Sequence, residues 1–266
     1  METLKKERGE KMNMNKVFEK YAAVVFFDTE TTGLDADTCR IIELAAIRIE
    51  QAENGTLRTA SRVDLFVKLP EGQKIPDDIV KLTGITDERL EAEGFTEAEA
   101  AAIFTHMIHD DKGTVLLVAH NAQFDLQFVR EMFRRNPRYV TAPDGSKCER
   151  ADVLVAADYL DSLTVYKDRR GYPHKLVNAI VAYKLQDKVK NSHRAIDDVE
   201  ALFEVVKAMD NERADLLTYV NLFGYNPKYG VSGRRLVGVT YWPQQFNNYI
   251  QAPGNTLPGK IRRARK

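Results

Sequence analysis

The chain has little of what would stabilise or anchor a small secreted or membrane protein. There are two cysteines in 266 residues, Cys39 and Cys148. Two thiols build neither a disulfide framework nor a cysteine-based zinc site, and they read as reduced thiols of a cytosolic protein. No run of about 18 apolar residues is present, which excludes a transmembrane helix. The first eight residues, Met1 to Arg8, lack the apolar stretch of a secretory leader. Asn54-Gly55-Thr56 matches a glycosylation sequon, but without such a leader we read it as a turn. Walker A, G-x-G-x-x-G and G-x-S-x-G motifs are absent, which argues against a nucleoside triphosphatase, a dinucleotide enzyme and an α/β-hydrolase. Internal repeats and low-complexity tracts are also missing.

The composition that remains is ordinary for a soluble globular protein, 44% hydrophobic and 29% charged. Lys plus Arg and Asp plus Glu each number 39. The balance hides an asymmetry. No acidic residue follows Asp215, whereas eight cations do: Lys228, Arg234, Arg235, Lys260, Arg262, Arg263, Arg265 and Lys266. Residues 1–215 therefore carry a net charge of −8. This pattern suggests an acidic functional body with a basic arm.

Residues 1–20 are polar and read as a flexible lead-in. Ala22 to Phe27 is a continuous apolar run, the pattern of a strand covered on both faces. Residues 40–50 and 57–69 are β-rich and flank Asn54-Gly55, a strong hairpin signal. Pro76-Asp77-Asp78 opens a short helix. Thr96, with Glu99 three residues on, starts a helix reaching His109. Val115 to Ala119 is a second buried strand. Helices follow over 125–135, 152–160, 175–185 and 195–209, with a loop at 167–173. The order predicts an α/β domain over residues 21–215, a mixed sheet of about five strands flanked by helices. Residues 216–266 read as a small, basic, aromatic-rich C-terminal extension, with a strand at 235–242.

Acidic residues cluster at three places. Asp28 and Glu30 end the first buried strand, and spacing two puts both on one face. Like charges there resist burial unless a cation neutralises them, and hard oxygen ligands suit Mg²⁺ or Mn²⁺. Taken alone, the pair reads equally as a solvated strand end. Asp125 follows the second buried strand and could project from the same sheet edge, or complement a helix dipole. Asp197 and Asp198 sit at the start of a helix. His193 converges with Asp198 only from the loop before that helix. An imidazole there would titrate close to neutrality and could act as a base. His106 and His109 lack further ligands and read as surface or core residues, His174 as a helix start, and His120 as cleft-lining or structural.

Asp28-Thr29-Glu30-Thr31-Thr32-Gly33-Leu34, His120-Asn121-Ala122-Gln123-Phe124-Asp125 and His193-Arg194-Ala195-Ile196-Asp197-Asp198 occur in that order. Together they resemble the three motifs of the DEDDh 3′–5′ exonucleases, most closely the proofreading (epsilon) subunits of bacterial DNA polymerase III. Ile79 to Thr86 is similar to the same group. The resemblance spans about residues 20–212 and implies a ribonuclease H-like fold. It implies Asp28, Glu30, Asp125 and Asp198 as ligands of two divalent ions, Mg²⁺ or Mn²⁺, and His193 as general base. Thr31 and Leu34 would border the 3′-terminal nucleotide, with Asn121 and Phe124 shaping its pocket. The implied substrate is the 3′ end of single-stranded DNA, the product a 5′-nucleoside monophosphate, and a DNA polymerase a possible partner. RNA trimming is a second reading. A polymerase accessory module that binds nucleic acid with little turnover is a third, against which the presence of all five motif residues counts.

The extension mixes its cations with Tyr219, Phe223, Tyr225, Tyr229, Tyr241, Trp242, Phe246 and Tyr249. Aromatics stack on bases and cations meet phosphates, so it is a candidate single-strand path. The alternative is that these rings pack on the domain. Gln251-Ala252-Pro253 does not match a clamp-binding motif.

Overall fold

The computed structural model describes residues 14–141, 147–189 and 194–244. Its centre is a mixed sheet of five strands. β1 (Ala23–Thr31) pairs antiparallel with β2 (Ile41–Gln51), and β2 with β3 (Leu57–Phe66). The turn between β2 and β3 falls at Asn54-Gly55, where Gly55 takes φ +81°, a conformation that favours glycine. On its other side β1 pairs parallel with β4 (Val115–Ala119), and β4 with a further parallel strand at the sheet edge.

Helices follow in chain order. They are α1 (Asn15–Phe18), α2 (Asp77–Thr83), α3 (Asp87–Glu93), α4 (Glu97–Ile108), α5 (Ala122–Arg135), α6 (Arg150–Ala156), α7 (Ser162–Arg169), α8 (Leu176–Ala182) and α9 (Ala195–Glu212). Between α5 and α6 lies a short hairpin, β5 (Tyr139–Thr141) and β6 (Lys147–Glu149). The edge strand is β7 (Asp158–Asp161), and a parallel pair, β8 (Leu222–Tyr225) and β9 (Thr240–Pro243), closes the described chain. No helix of the described residues is long and apolar enough to cross a membrane.

Alternation along β1 sorts the core into two layers. Val24 and Phe26 face α9, where Phe26 meets Phe203 edge-on at 5.1 Å. Ala23, Val25 and Phe27 face α4 and α5, where Phe27 packs on Phe104 at 5.4 Å. The Thr96–Glu99 capping box forms as expected at the start of α4.

Several expectations need correction. Residues 158–160, read as the end of a helix, belong to the fifth strand, which pairs Tyr159 with Leu117 and Leu160 with Val118. The residues that follow enter α7, whose first turn is capped by Asp161 accepting from Leu163 N and Thr164 N. The loop expected at 167–173 is therefore helical as far as Arg169. In the lead-in, Met14 and Val17 are buried in the core, and Met14 N donates to Asp210 Oδ2 at 2.9 Å. Of the strand expected at 235–242, only the end is extended, as β9.

Residues 216–244 pack into both layers. Leu216, Tyr219, Leu222 and Trp242 join the α9 side, and Phe223 and Leu236 the other. Tyr219, Phe223 and Trp242 are buried and offer no face to a base, whereas Tyr229 is exposed. Phe246, Tyr249, Gln251-Ala252-Pro253 and the cations from Lys260 onward lie outside the described residues.

Candidate active site

β1, β4 and β7 are parallel, so their C-terminal ends share one edge of the sheet. The motif residues of β1 and β4 collect there. Asp28 and Glu30 continue the Val24–Phe26 alternation and face α9, while Thr29 and Thr31 face α5. Asp198 lies in the first turns of α9, where the helix dipole favours negative charge. Asp125 arrives from the opposite face. α5 begins at Ala122, three residues earlier than expected, with Asn121 as its N-cap in the left-handed region (φ 76°). Asp125 is buried, and its Oδ1 accepts from Thr29 N at 3.1 Å and Thr29 Oγ1 at 2.7 Å. The residue between the two β1 carboxylates thus tethers the α5 carboxylate to the same edge.

Electrostatics report this convergence. Burial raises the Asp28 pKa well above its ordinary value, and the charges of Asp125, Asp198, Glu30 and Glu43 raise it further. Glu30 is pushed up to about 8, by burial first and then by Glu43, Asp198 and Asp125. Burial lifts Asp125 to about 7, against the opposing hydrogen bonds from Thr29. Carboxylates in one another's field cannot all ionise cheaply. A hard divalent cation reverses that penalty, and oxygen donors are the ligands such cations prefer. The donor chemistry therefore fits Mg²⁺ or Mn²⁺. Among the described residues no three His, Cys, Asp or Glu side chains stand close enough together to enclose an ion as they are.

Glu43 went unnoticed in the sequence. It lies directly opposite Glu30 in the β1–β2 register and is fully buried. Arg194 Nε donates to its Oε1 at 2.9 Å, and the Ala195 backbone N–H donates to its Oε2 at 3.3 Å. Arg194 also lies 3.5 Å from Asp64 on β3. Glu43 thus ties the start of α9, and with it Asp198, to the sheet. A lone acid in the otherwise apolar Ile41-Ile42-Glu43-Leu44-Ala45-Ala46 run was the available signal.

Of the other expected site residues, Thr31 is buried and its Oγ1 donates to the Gly33 carbonyl at 2.6 Å. Leu34, in the same loop, is 88% exposed. Gly33 packs so closely on Cys39 that an added Cβ would sit 2.8 Å from Sγ. Asn121 is exposed at the end of β4, and Phe124 packs against Phe128 with the rings tilted and 4.9 Å apart. His193 lies outside the described residues; α9 begins two residues after it in the chain. His120 is structural: Nε2 donates to the His174 carbonyl at 2.9 Å and Nδ1 pairs with Ser162 Oγ at 2.9 Å. Burial lowers its pKa, which keeps the ring neutral. Asp161, also unnoticed, accepts from Asn121 N and Ala122 N while capping α7, so it locks the β4–α5 turn to β7.

A family model described as Exonuclease (RNase_T) matches residues 25–206, all three motif segments included. The chain belongs to the exonuclease family. Among curated relatives of this exonuclease-family chain, ribonuclease T of Haemophilus influenzae is 30% identical over 202 residues, covering 72% of this chain and 81% of its own. Ribonuclease T of Vibrio vulnificus is 33% identical over 124 residues, 44% of this chain and 57% of the relative. A PolC-type DNA polymerase III of Latilactobacillus sakei is 29% identical over 215 residues, 79% of this chain but 13% of the polymerase. The chain thus spans between about an eighth and four fifths of the relatives named here. Among solved structures, E. coli exonuclease I in complex with a dA16 oligonucleotide superposes with a TM-score of 0.60 at 20% identity, covering 74% of this chain and 42% of that one. The fold is that of the ribonuclease H-like exonucleases, with the mixed five-stranded sheet expected from the sequence.

Proposed function

We propose that this exonuclease-family domain hydrolyses the terminal phosphodiester at the 3′ end of single-stranded DNA and releases 5′-nucleoside monophosphates. The observation that carries this reading is the set of carboxylates Asp28, Glu30, Asp125 and Asp198 at one sheet edge, where burial and the charges of Asp125 and Asp198 raise Asp28 and Glu30 above their ordinary pKa. These four would hold two divalent ions, Mg²⁺ or Mn²⁺. When bound, such ions neutralise charge on the phosphate and supply a reactive water. The chain's own residues do the rest. Thr29 holds Asp125 to β1, and Glu43 with Arg194 ties the start of α9 to the sheet, so the elements that carry these carboxylates are anchored before substrate arrives. Exposed Leu34 and Asn121 flank the edge from the β1 and β4 sides and would border the terminal nucleotide, with Thr31 and Phe124 packed behind them. His193 would accept the proton of the attacking water. The P–O bond to the penultimate nucleotide breaks, its 3′ oxygen leaves and takes up a proton, and the phosphate stays on the released nucleotide.

RNA trimming is the second reading, favoured by the ribonuclease T relatives. The PolC-type relatives, which align along most of this chain within a far longer polymerase, support a DNA polymerase as partner. The discriminating experiment uses 5′-labelled single-stranded DNA and RNA of one sequence, incubated with Mg²⁺ or Mn²⁺. We expect a ladder shortening from the 3′ end, faster on DNA, and lost with EDTA and in Asp28→Ala. Faster shortening of RNA would move the assignment to RNA trimming. Binding without shortening of either polymer would make the domain an accessory module. His193→Ala should lower turnover more than metal affinity; an unchanged rate near neutral pH would remove it as the base.

A further inference from the structure

A groove of about 1030 Å³ lies along the same sheet edge, on the β7 side of the carboxylates. Asn121, which caps the helix that carries Asp125, forms part of its wall. Neighbouring strands are about 4.8 Å apart. The end of β7 is therefore about 10 Å from the end of β1.

The lining has a distinct chemistry. Lys167 on α7 and Lys175 before α8 supply positive charge, and no Asp or Glu lines the groove among the described residues. That contrasts with the net charge of −8 over residues 1–215. Tyr172 is 75% exposed, and its ring is braced edge-on by His174 at 5.9 Å. Asn178 and Asn226 add amide groups to the lining. The floor is held fixed by the His120 hydrogen bonds to Ser162 and to the His174 carbonyl. Separated cations, an exposed aromatic face and amides match a chain of phosphates and bases better than an apolar ligand.

We propose that this groove seats the substrate strand on the 5′ side of the nucleotide being removed, with Lys167 and Lys175 against backbone phosphates and Tyr172 stacked on a base. The inference rests on the exonuclease reading and extends it to a strand-binding subsite. It explains how an acidic body holds a polyanion: repulsion at the carboxylates is offset by the cations beside β7.

The test measures binding of non-cleavable phosphorothioate oligothymidylates, 2 to 10 nucleotides long, to the full-length protein in Ca²⁺. The wild type is compared with the double variant Lys167→Gln/Lys175→Gln and with Tyr172→Ala. Wild-type affinity should climb with length and then level off. The double variant should lose most of that climb and bind the longest oligomer at least about tenfold more weakly. Its log–log salt slope should shrink by about 1.4, the share of two single-strand phosphate contacts. Tyr172→Ala should weaken the longest oligomer about tenfold, the size of one lost base stack. Thermal midpoints matching the wild type would show that the variants fold. Length series superimposing on the wild type would overturn the proposal, as would an equal loss for dimer and decamer. A free mononucleotide offers the same phosphate and base; if thymidine monophosphate binding falls in the variants while the length dependence stays, the groove is a product site and the proposal fails. Hydrolysis of thymidine 5′-p-nitrophenyl phosphate by the wild type tests the exonuclease reading separately. If neither that ester nor DNA is hydrolysed, the exonuclease reading falls, and the binding series alone decides the groove.

Discussion

Ionising Glu30 in the metal-free protein opposes folding, and the sign follows from its pKa. The group moves from 4.5 to about 8 on folding, through burial and its acidic neighbours. Below pH 4.5 it is protonated in both states and costs nothing. As pH rises toward 8 the unfolded chain ionises while the folded one retains its proton, so stability falls. The thermal midpoint of the EDTA-treated protein should therefore decline over that window. Mg²⁺ should restore it most at the alkaline end, and Glu30→Gln should flatten the decline; scanning calorimetry across pH reads all three. Asp28→Asn belongs to the same argument. It should raise the metal-free midpoint by relieving repulsion and cut turnover about a thousandfold or more, the loss of several kcal/mol of charge stabilisation in the transition state. A variant with wild-type turnover would exclude Asp28 from the metal site.

At the scale of elements, the register between α9 and the sheet decides where Asp198 stands. Glu43 is fully buried and Arg194 is partly exposed, so removing the arginine strands the acid. Breaking a buried pair in this way costs about 3 kcal/mol. Arg194→Ala should show that loss in urea unfolding together with reduced turnover, and Arg194→Lys should recover part of both. Wild-type rates in the alanine variant would mean that α9 is held in place without this latch. Residues 216–244 offer a second test. Cutting after Asp215 removes Leu216, Tyr219, Leu222 and Trp242 from the core. The loss of so many buried side chains, each worth about 2–5 kcal/mol, should abolish cooperative unfolding seen by circular dichroism.

For the molecule as a whole, the proposed function makes charge the property to test. Cutting after Gln244 spares the described fold and removes Lys260, Arg262, Arg263, Arg265 and Lys266. If those cations reach phosphates, the truncated protein should bind single strands more weakly and with a shallower salt dependence, measured by anisotropy between 50 and 200 mM salt. An unchanged slope would leave strand binding to the groove beside β7.

Much of this was legible along the chain, because local spacing suffices for it. Alternation over Ala23–Thr31 fixed which β1 residues share a face, Asn54-Gly55 marked the hairpin, and Thr96 with Glu99 marked the start of α4. Three short acidic motifs in order pointed to the exonuclease family. What stayed hidden depends on neighbours distant in sequence. β7 is four residues long with an aspartate at each end, and only pairing with β4 makes it a strand. Glu43 becomes part of the site through Arg194, 151 residues away. The burial of Tyr219, Phe223 and Trp242 follows from the two layers they complete, which no local pattern of a Gly-, Pro- and aromatic-rich segment announces. Periodicity records the face a side chain presents. Which partner meets that face, and so which charges share a field, is settled only when the sheet brings separate strand ends to one edge.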